Sequence, residues 1–297
     1  MTIPIADLPL VRSRHPEAVA EAAARRARRP LLGAMGRLLI VAADHPARGA
    51  LAVGGRPLAM ADRYELLERL LTALAQPGVD GVLATADVLE DLLLLGALEN
   101  RVVMGSMNRG GLAGAAFELD DRFTGMRAQD IERRGFDAGK LLLRIDRSDP
   151  GSVATMEAAA RAVDAMAERK LPVFVEPFLC RRRPGERPVS DLGAAAVMTS
   201  MAIASGLGGT SAYTWLKVPV TDDAQTDPEA MERVLSASTL PAVLLGGDVR
   251  GDPDAMYERW RAALRLPGVR GLVVGRSLLY PPDGDVAKAV RTAASLL

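Results

Sequence analysis

Short, almost wholly apolar runs alternate along the chain with longer stretches in which apolar residues recur every three or four positions. The runs are 38–43 (LLIVAA), 79–84 (VDGVLA), 101–106 (RVVMGS), 140–145 (KLLLRI), 172–178 (PVFVEPF), 213–219 (YTWLKVP), 241–246 (PAVLLG) and 270–275 (RGLVVG). Their length, their lack of polar alternation and their Gly, Pro or Asp flanks predict strands buried on both faces. The stretches between them, 61–75, 87–98, 127–134, 153–169, 190–205, 228–237, 253–266 and 284–297, predict helices. Asp149-Pro150-Gly151-Ser152 and Asp252-Pro253 carry helix-start chemistry.

Eight strand–helix units in near-strict alternation predict an α/β fold of parallel βαβ units. An open doubly wound sheet shows the same alternation. Eight repeats in 297 residues favour one closed (β/α)8 TIM barrel over residues 37–297. Residues 1–36 are expected to form an N-terminal capping extension with an amphipathic helix near 16–29.

Composition narrows the partners. The 37 basic and 37 acidic side chains leave no formal net charge, which argues against nucleic acid. No run approaches the ~18 apolar residues of a membrane span. Cys180 is a lone cysteine, so no internal disulfide is expected. The Arg- and Ala-rich start has some transit-peptide character, but Asp7, Glu17 and Glu21 contradict it, and a cytoplasmic location is the expectation. A homo-oligomer is compatible with all of this. Only four basic residues are lysine (Lys140, Lys170, Lys217 and Lys288), which makes each worth locating.

In a barrel of this kind the chemistry sits where strands end and their following loops begin. The first strand runs into Asp44-His45-Pro46; Asp44 is a candidate acid or a turn-capping residue, and His45 a candidate base or ligand. The fourth run opens with Lys140, a poor choice for a buried strand because its charge loses hydration. In the fifth, strand alternation puts Phe174, Glu176 and Phe178 on one face. A carboxyl between two rings is expected to have a raised pKa suited to proton transfer; the competing reading is an ion pair with a lysine. In the sixth, Lys217 shares a face with Tyr213 and Trp215.

If these faces point inward, Lys140, Glu176 and Lys217 meet, and one ammonium should lose its proton to become a nucleophilic amine. The alternative is that both lysines reach outward between helices. The last two strands end in Gly246-Gly247-Asp248 and Gly275-Arg276-Ser277. Glycines there let backbone N–H groups approach a phosphate, unless they serve only tight turns. Metal-type Cys/His spacing, G-x-S-x-G and a dinucleotide G-x-G-x-x-G between strand and helix are all missing, so no metal and no cofactor are expected.

Taken together, Ala43-Asp44-His45, GFDAGKLL (135–142), FVEP (174–177), WLKVPV (215–220) and GLVVGR (271–276) resemble the class I, Schiff-base aldolases. That group includes tagatose-1,6-bisphosphate, archaeal-type fructose-bisphosphate and deoxyribose-phosphate aldolases. The resemblance covers residues 38 to about 282 and implies a carbon–carbon lyase. It implies Lys217 as the Schiff-base lysine, Lys140 as a second barrel lysine, Glu176 as acid/base and Asp44 as the first-strand acid. Gly246, Gly247, Gly275 and Arg276 fall where the family grips phosphate. Where the archaeal branch uses a tyrosine proton donor, Phe178 has no hydroxyl.

More narrowly, the chain is similar to an actinobacterial aldolase-like family associated with myo-inositol catabolism. That implies 6-phospho-5-dehydro-2-deoxygluconate, cleaved to dihydroxyacetone phosphate and malonate semialdehyde. Arg181, Arg182 and Arg183 are candidates for a substrate carboxylate or second phosphate, or form a solvated loop. Tagatose-, fructose- and deoxyribose-phosphate-type aldolases are alternatives, and so is a barrel that binds sugar phosphate without turnover.

Overall fold

The computed structural model describes residues 3–183, 186–225, 227, 229–247 and 252–297. Eight strands carry the fold: β1 (Leu38–Ala42), β2 (Gly81–Ala84), β3 (Val102–Ser106), β4 (Ala138–Ile145), β5 (Val173–Arg181), β6 (Thr214–Val218), β7 (Ala242–Leu245) and β8 (Val269–Val274). Each pairs in parallel with its sequence neighbours. β8 returns to β1 through Leu38↔Gly271 to Val41↔Val274, which closes a TIM barrel. β4 begins two residues earlier than expected, so Lys140 is its third residue rather than its first. A two-residue strand, Val189–Ser190, pairs antiparallel with the end of β5.

Period-two alternation sorts the strand side chains into two buried sets. Leu38, Ile40, Ala42, Leu83, Val102, Met104, Ala138, Phe174, Val243 and Val273 fill the barrel interior. The alternate residues, such as Leu39, Val41, Val103, Leu141, Val175 and Leu216, pack outward with the helices. Each expected helical stretch contains or overlaps an observed helix: α3 (Arg63–Leu74), α4 (Ala86–Leu94), α5 (Ala128–Arg133), α6 (Gly151–Glu168), α7 (Ala194–Ser205), α8 (Ala230–Leu235), α9 (Pro253–Leu264) and α11 (Val286–Ala294). Asp252 caps α9 by accepting from Asp254 N at 3.0 Å, and Asp149 accepts from Gly151 N at 2.8 Å where α6 begins. A one-turn helix, α10 (Arg276–Leu279), follows β8 directly.

Of the helix expected near 16–29, Ala18–Arg25 form α2, and a further helix, α1 (Leu8–Arg14), precedes it. Pro16 lies in the break, where it cannot continue a helical hydrogen-bond ladder, and the chain leaves the helix at Arg26. From there it crosses the N-terminal ends of the strands. Arg29 pairs with Asp80 at 2.6 Å, Arg26 donates to Arg101 O at 2.8 Å, and Arg26 and Arg28 both reach Asp137. Those three residues immediately precede β2, β3 and β4, and Leu31 and Leu32 pack against the interior set. The N-terminal mouth is thereby covered, and the C-terminal mouth is left for chemistry.

Asp137 also accepts from Val103 N at 2.9 Å. Its side chain and that of Arg26 are 5% and 1% exposed, so losing the carboxylate strands a buried cation and a buried N–H. Asp137→Ala is expected to lower unfolding free energy by about 3–5 kcal/mol, as for other broken buried pairs. Denaturant titration checks this, and a loss under about 1 kcal/mol would contradict it.

Candidate active site

Alternation carries the inward face of β1 from Leu38, Ile40 and Ala42 on to Asp44, which is 2% exposed just past the strand end. The same rule puts Lys140 above Ala138, Glu176 above Phe174 and Lys217 above Trp215. Ser106 lies opposite Lys140, Lys140 opposite Phe174, and Phe174 opposite Trp215. The Phe174 and Trp215 rings lie 5.1 Å apart and form an apolar floor. Polar groups stand on this floor at the C-terminal mouth.

Glu176 is the hub. One carboxylate oxygen takes the Lys217 ammonium and the other takes that of Lys140. Lys140 Nζ also lies 3.3 Å from Asp44 Oδ2. Asp44 in turn pairs with Arg109 and accepts from Ser106 Oγ at 3.0 Å, and Arg109 Nε donates to the same hydroxyl at 3.0 Å. Both lysines therefore point into the barrel and not outward between helices.

The charges shift accordingly. Burial opposes the ammonium form of Lys217 and outweighs the support from Glu176, while Arg109 and Arg276 add repulsion, so its pKa is lowered. Lys140 is pushed well below the ordinary lysine range by burial and by the Arg109 cation. For Glu176 the expected direction is reversed. Burial does oppose its ionised form, but the two ammonium groups prevail and hold the carboxyl far below its usual range. Its aromatic neighbours matter less than these charges, so Glu176 rests as a carboxylate, able to accept a proton but not to donate one.

The glycine-ended strands close the opposite side of the mouth. A Cβ on Gly275 would stand 2.3 Å from Ala42 O and 2.9 Å from His45 Cε1, and one on Gly246 would stand 2.6 Å from Val274 Cγ1. Only glycine allows the β7, β8 and β1 ends to approach so closely. Gly247 adopts a positive φ of 65°, and Asp248 lies outside the described residues. Arg276 opens α10, and its charge acts on both Lys217 and His45. Two buried polar atoms here, His45 Nδ1 and Ser277 Oγ, have no hydrogen-bond partner among the described residues. Burial and the surrounding cations keep His45 well below its ordinary pKa, hence neutral.

Other candidates fall away from the cluster. The Arg182 guanidinium donates to the Ala115 and Ala116 carbonyls and its backbone N–H to Asp146, while Arg181 and Arg183 are exposed. Cys180 is buried beside Ser190 Oγ, and burial raises its thiol pKa. Ser106 and Arg109 were missed from sequence. The signal for them was the polar end of an apolar strand, the same signal that marked Asp44. Among the described residues no group of three or more His, Cys, Asp or Glu is arranged to hold a metal ion.

A family model described as Cgl0159-like matches residues 36–294. The crystal structure of Cgl0159 from Corynebacterium glutamicum (Brevibacterium flavum) is 53% identical, with a TM-score of 0.94 over 100% of this chain and 98% of that one. A Schiff-base-forming fructose-1,6-bisphosphate aldolase is 20% identical, with a TM-score of 0.68 over 94% of this chain and 99% of that one. An archaeal fructose-1,6-bisphosphate aldolase, its catalytic lysine bound to the carbinolamine intermediate, gives 20% identity and a TM-score of 0.68 over 94% and 98%. At such identities the likeness to the aldolases is one of fold. No curated protein matches the chain.

Glu176→Gln removes the counter-charge that both ammonium groups share. The Lys140 and Lys217 titrations are therefore expected to move further down, read by NMR of isotopically labelled lysine. Midpoints that stay put would show that Glu176 does not govern them. Because both lysines are depressed on folding, their contribution to stability should rise with pH towards the ordinary lysine pKa of 10.5.

Proposed function

The chain belongs to the Cgl0159-like family, and from its site we propose that it is a class I aldolase, a metal-independent carbon–carbon lyase acting on a phosphorylated ketose or keto-sugar acid. The observation that carries this reading is the pair of buried lysines, from β4 and β6, sharing one carboxylate inside the barrel. Crowded, desolvated ammonium groups favour one neutral amine, and a neutral amine is what carbonyl addition requires.

Lys217 Nζ adds to the substrate ketone to give a carbinolamine, whose hydroxyl takes up a proton from solvent and leaves as water, giving an iminium. Glu176 accepts the proton of the hydroxyl beyond the scissile bond. That C–O becomes the aldehyde, and the bonding pair moves into the iminium to leave an enamine. The proton held by Glu176 passes to the enamine carbon, and addition of water to the resulting iminium releases the second product, the neutral amine and the proton taken up at dehydration. Lys140, held between Asp44 and Glu176, keeps the charge balance and meets substrate hydroxyls. Gly246, Gly247, Gly275 and Arg276 receive the phosphate, with Ser277 Oγ and His45 Nδ1 as unsatisfied polar groups beside it.

The preferred substrate is 6-phospho-5-dehydro-2-deoxygluconate, split into dihydroxyacetone phosphate and malonate semialdehyde in myo-inositol catabolism. It has the phosphate and the ketone that this site needs, and the narrower sequence resemblance points to it. Borohydride added with dihydroxyacetone phosphate is expected to trap an adduct on Lys217, located by peptide mass spectrometry and lost in Lys217→Ala. Trapping should rise with pH to a plateau reached below the ordinary lysine range, as the ammonium of depressed pKa deprotonates. Glu176→Gln should lower turnover by about 100- to 10,000-fold, as for loss of a general base. Activity should persist in EDTA; full loss with rescue by zinc would refute the scheme.

A further inference from the structure

Arg48 is a cation that the scheme above leaves unused. It ends a short turn of helix, Pro46–Arg48, immediately after Asp44 and His45. Ala113 N donates to its carbonyl at 2.8 Å, tying this loop to the long loop after β3. Its Nη1 is buried and has no hydrogen-bond partner among the described residues.

The nearby carboxylates are already engaged. Asp121 gives both oxygens to Arg144, at 2.8 and 2.6 Å. Glu118 accepts from Gly114 N at 2.6 Å and faces Arg144 at 3.8 Å. Asp44 and Glu176 serve Arg109 and the lysines. Burial, and then the Arg144 cation, work against the charge of Arg48, while Asp121, Glu118 and Glu176 support it. An Arg nitrogen buried without an acceptor is costly, and an incoming anion would relieve that cost.

Placement gives the anion a position. Arg276 opens α10 after β8, whereas Arg48 follows β1 and its carbonyl accepts from Ala113 N in the loop after β3, so the two cations are carried to the C-terminal mouth by different strand ends. We propose that Arg48 is the second anchor of the substrate, binding a carboxylate at the end of the molecule remote from the phosphate. This inference rests on the aldolase reading and adds to it the residue that selects the aldehyde half. A carboxylate suits the place better than a phosphate. Its single charge and planar fork match one guanidinium, whereas Asp121 and Glu118 would repel a dianion.

The test runs in the synthetic direction. The dihydroxyacetone phosphate enamine on Lys217 adds through carbon to an aldehyde, whose oxygen takes a proton, and water then releases the ketose from the iminium. Succinate semialdehyde, propanal and glyceraldehyde 3-phosphate are compared as acceptors. The native protein is expected to prefer the carboxylated aldehyde. In Arg48→Met the kcat/KM preference over propanal should fall about 10- to 100-fold, mainly through KM, with partial return in Arg48→Lys.

Borohydride trapping of dihydroxyacetone phosphate in Arg48→Met reports that the fold and the amine are intact. An unchanged preference in a variant that still traps would overturn the assignment, as would a native preference for glyceraldehyde 3-phosphate. Failure of the native protein to trap would instead remove the aldolase reading, and the assignment with it.

Discussion

One carboxylate shared by two buried ammonium groups sets the character of this barrel. Without Glu176, Lys140 and Lys217 would bring two positive charges into a volume floored by Phe174 and Trp215, close to the further cations Arg109 and Arg276. With it, the cluster is tolerable but still short of negative charge. Asp44 compensates in part, and it is already bound to Arg109, Ser106 and Lys140. The remaining imbalance is relieved when an ammonium loses its proton or when an anionic ligand arrives. In the proposed scheme, nucleophilicity and affinity for anions thus follow from the same deficit.

The barrel supplies what this cluster needs. Charged groups brought this close repel one another and lose hydration, so something stronger must hold them. Here that is a closed ring of parallel strands with two apolar layers, one inside and one beneath the helices. The extension covers the N-terminal mouth, where Leu31 and Leu32 pack on the interior set and Asp80 and Asp137 hold its arginines. Stability is thereby concentrated at one end of the barrel and reactive polarity at the other. At the reactive end, His45 Nδ1, Ser277 Oγ and Arg48 Nη1, which have no hydrogen-bond partner among the described residues, follow the ends of β1 and β8.

Much of this was legible from the chain alone, for identifiable reasons. The eight apolar runs have the length and composition of doubly buried strands, and period-two alternation assigns each residue a face. That was enough to put Lys140, Glu176 and Lys217 on candidate inward faces, and to mark Asp44, Gly246 and Gly275 as strand-end residues. It was not enough for Glu176, whose sequence neighbours are aromatic but whose ionisation is decided by lysines 36 and 41 positions away. Ser106 and Arg109 went unread because a Ser and an Arg at the end of a strand are ordinary until a carboxylate is found facing them. In the extension the pattern near 16–29 marked α2 but overran its end, where the chain leaves the helix at Arg26, and it did not mark α1.

By itself the sequence determined the repeating units, the faces of the strands and the scarcity of lysine that drew attention to Lys140 and Lys217. These depend on local periodicity and residue type, which carry over from chain to fold unchanged. Only the tertiary structure decided which charges share a partner, which way the Glu176 proton equilibrium leans and that Arg48 Nη1 has no acceptor among the described residues. Those outcomes depend on distances of a few ångströms between residues from different strands, and on how much water the closed barrel excludes, neither of which is encoded in any short stretch of sequence.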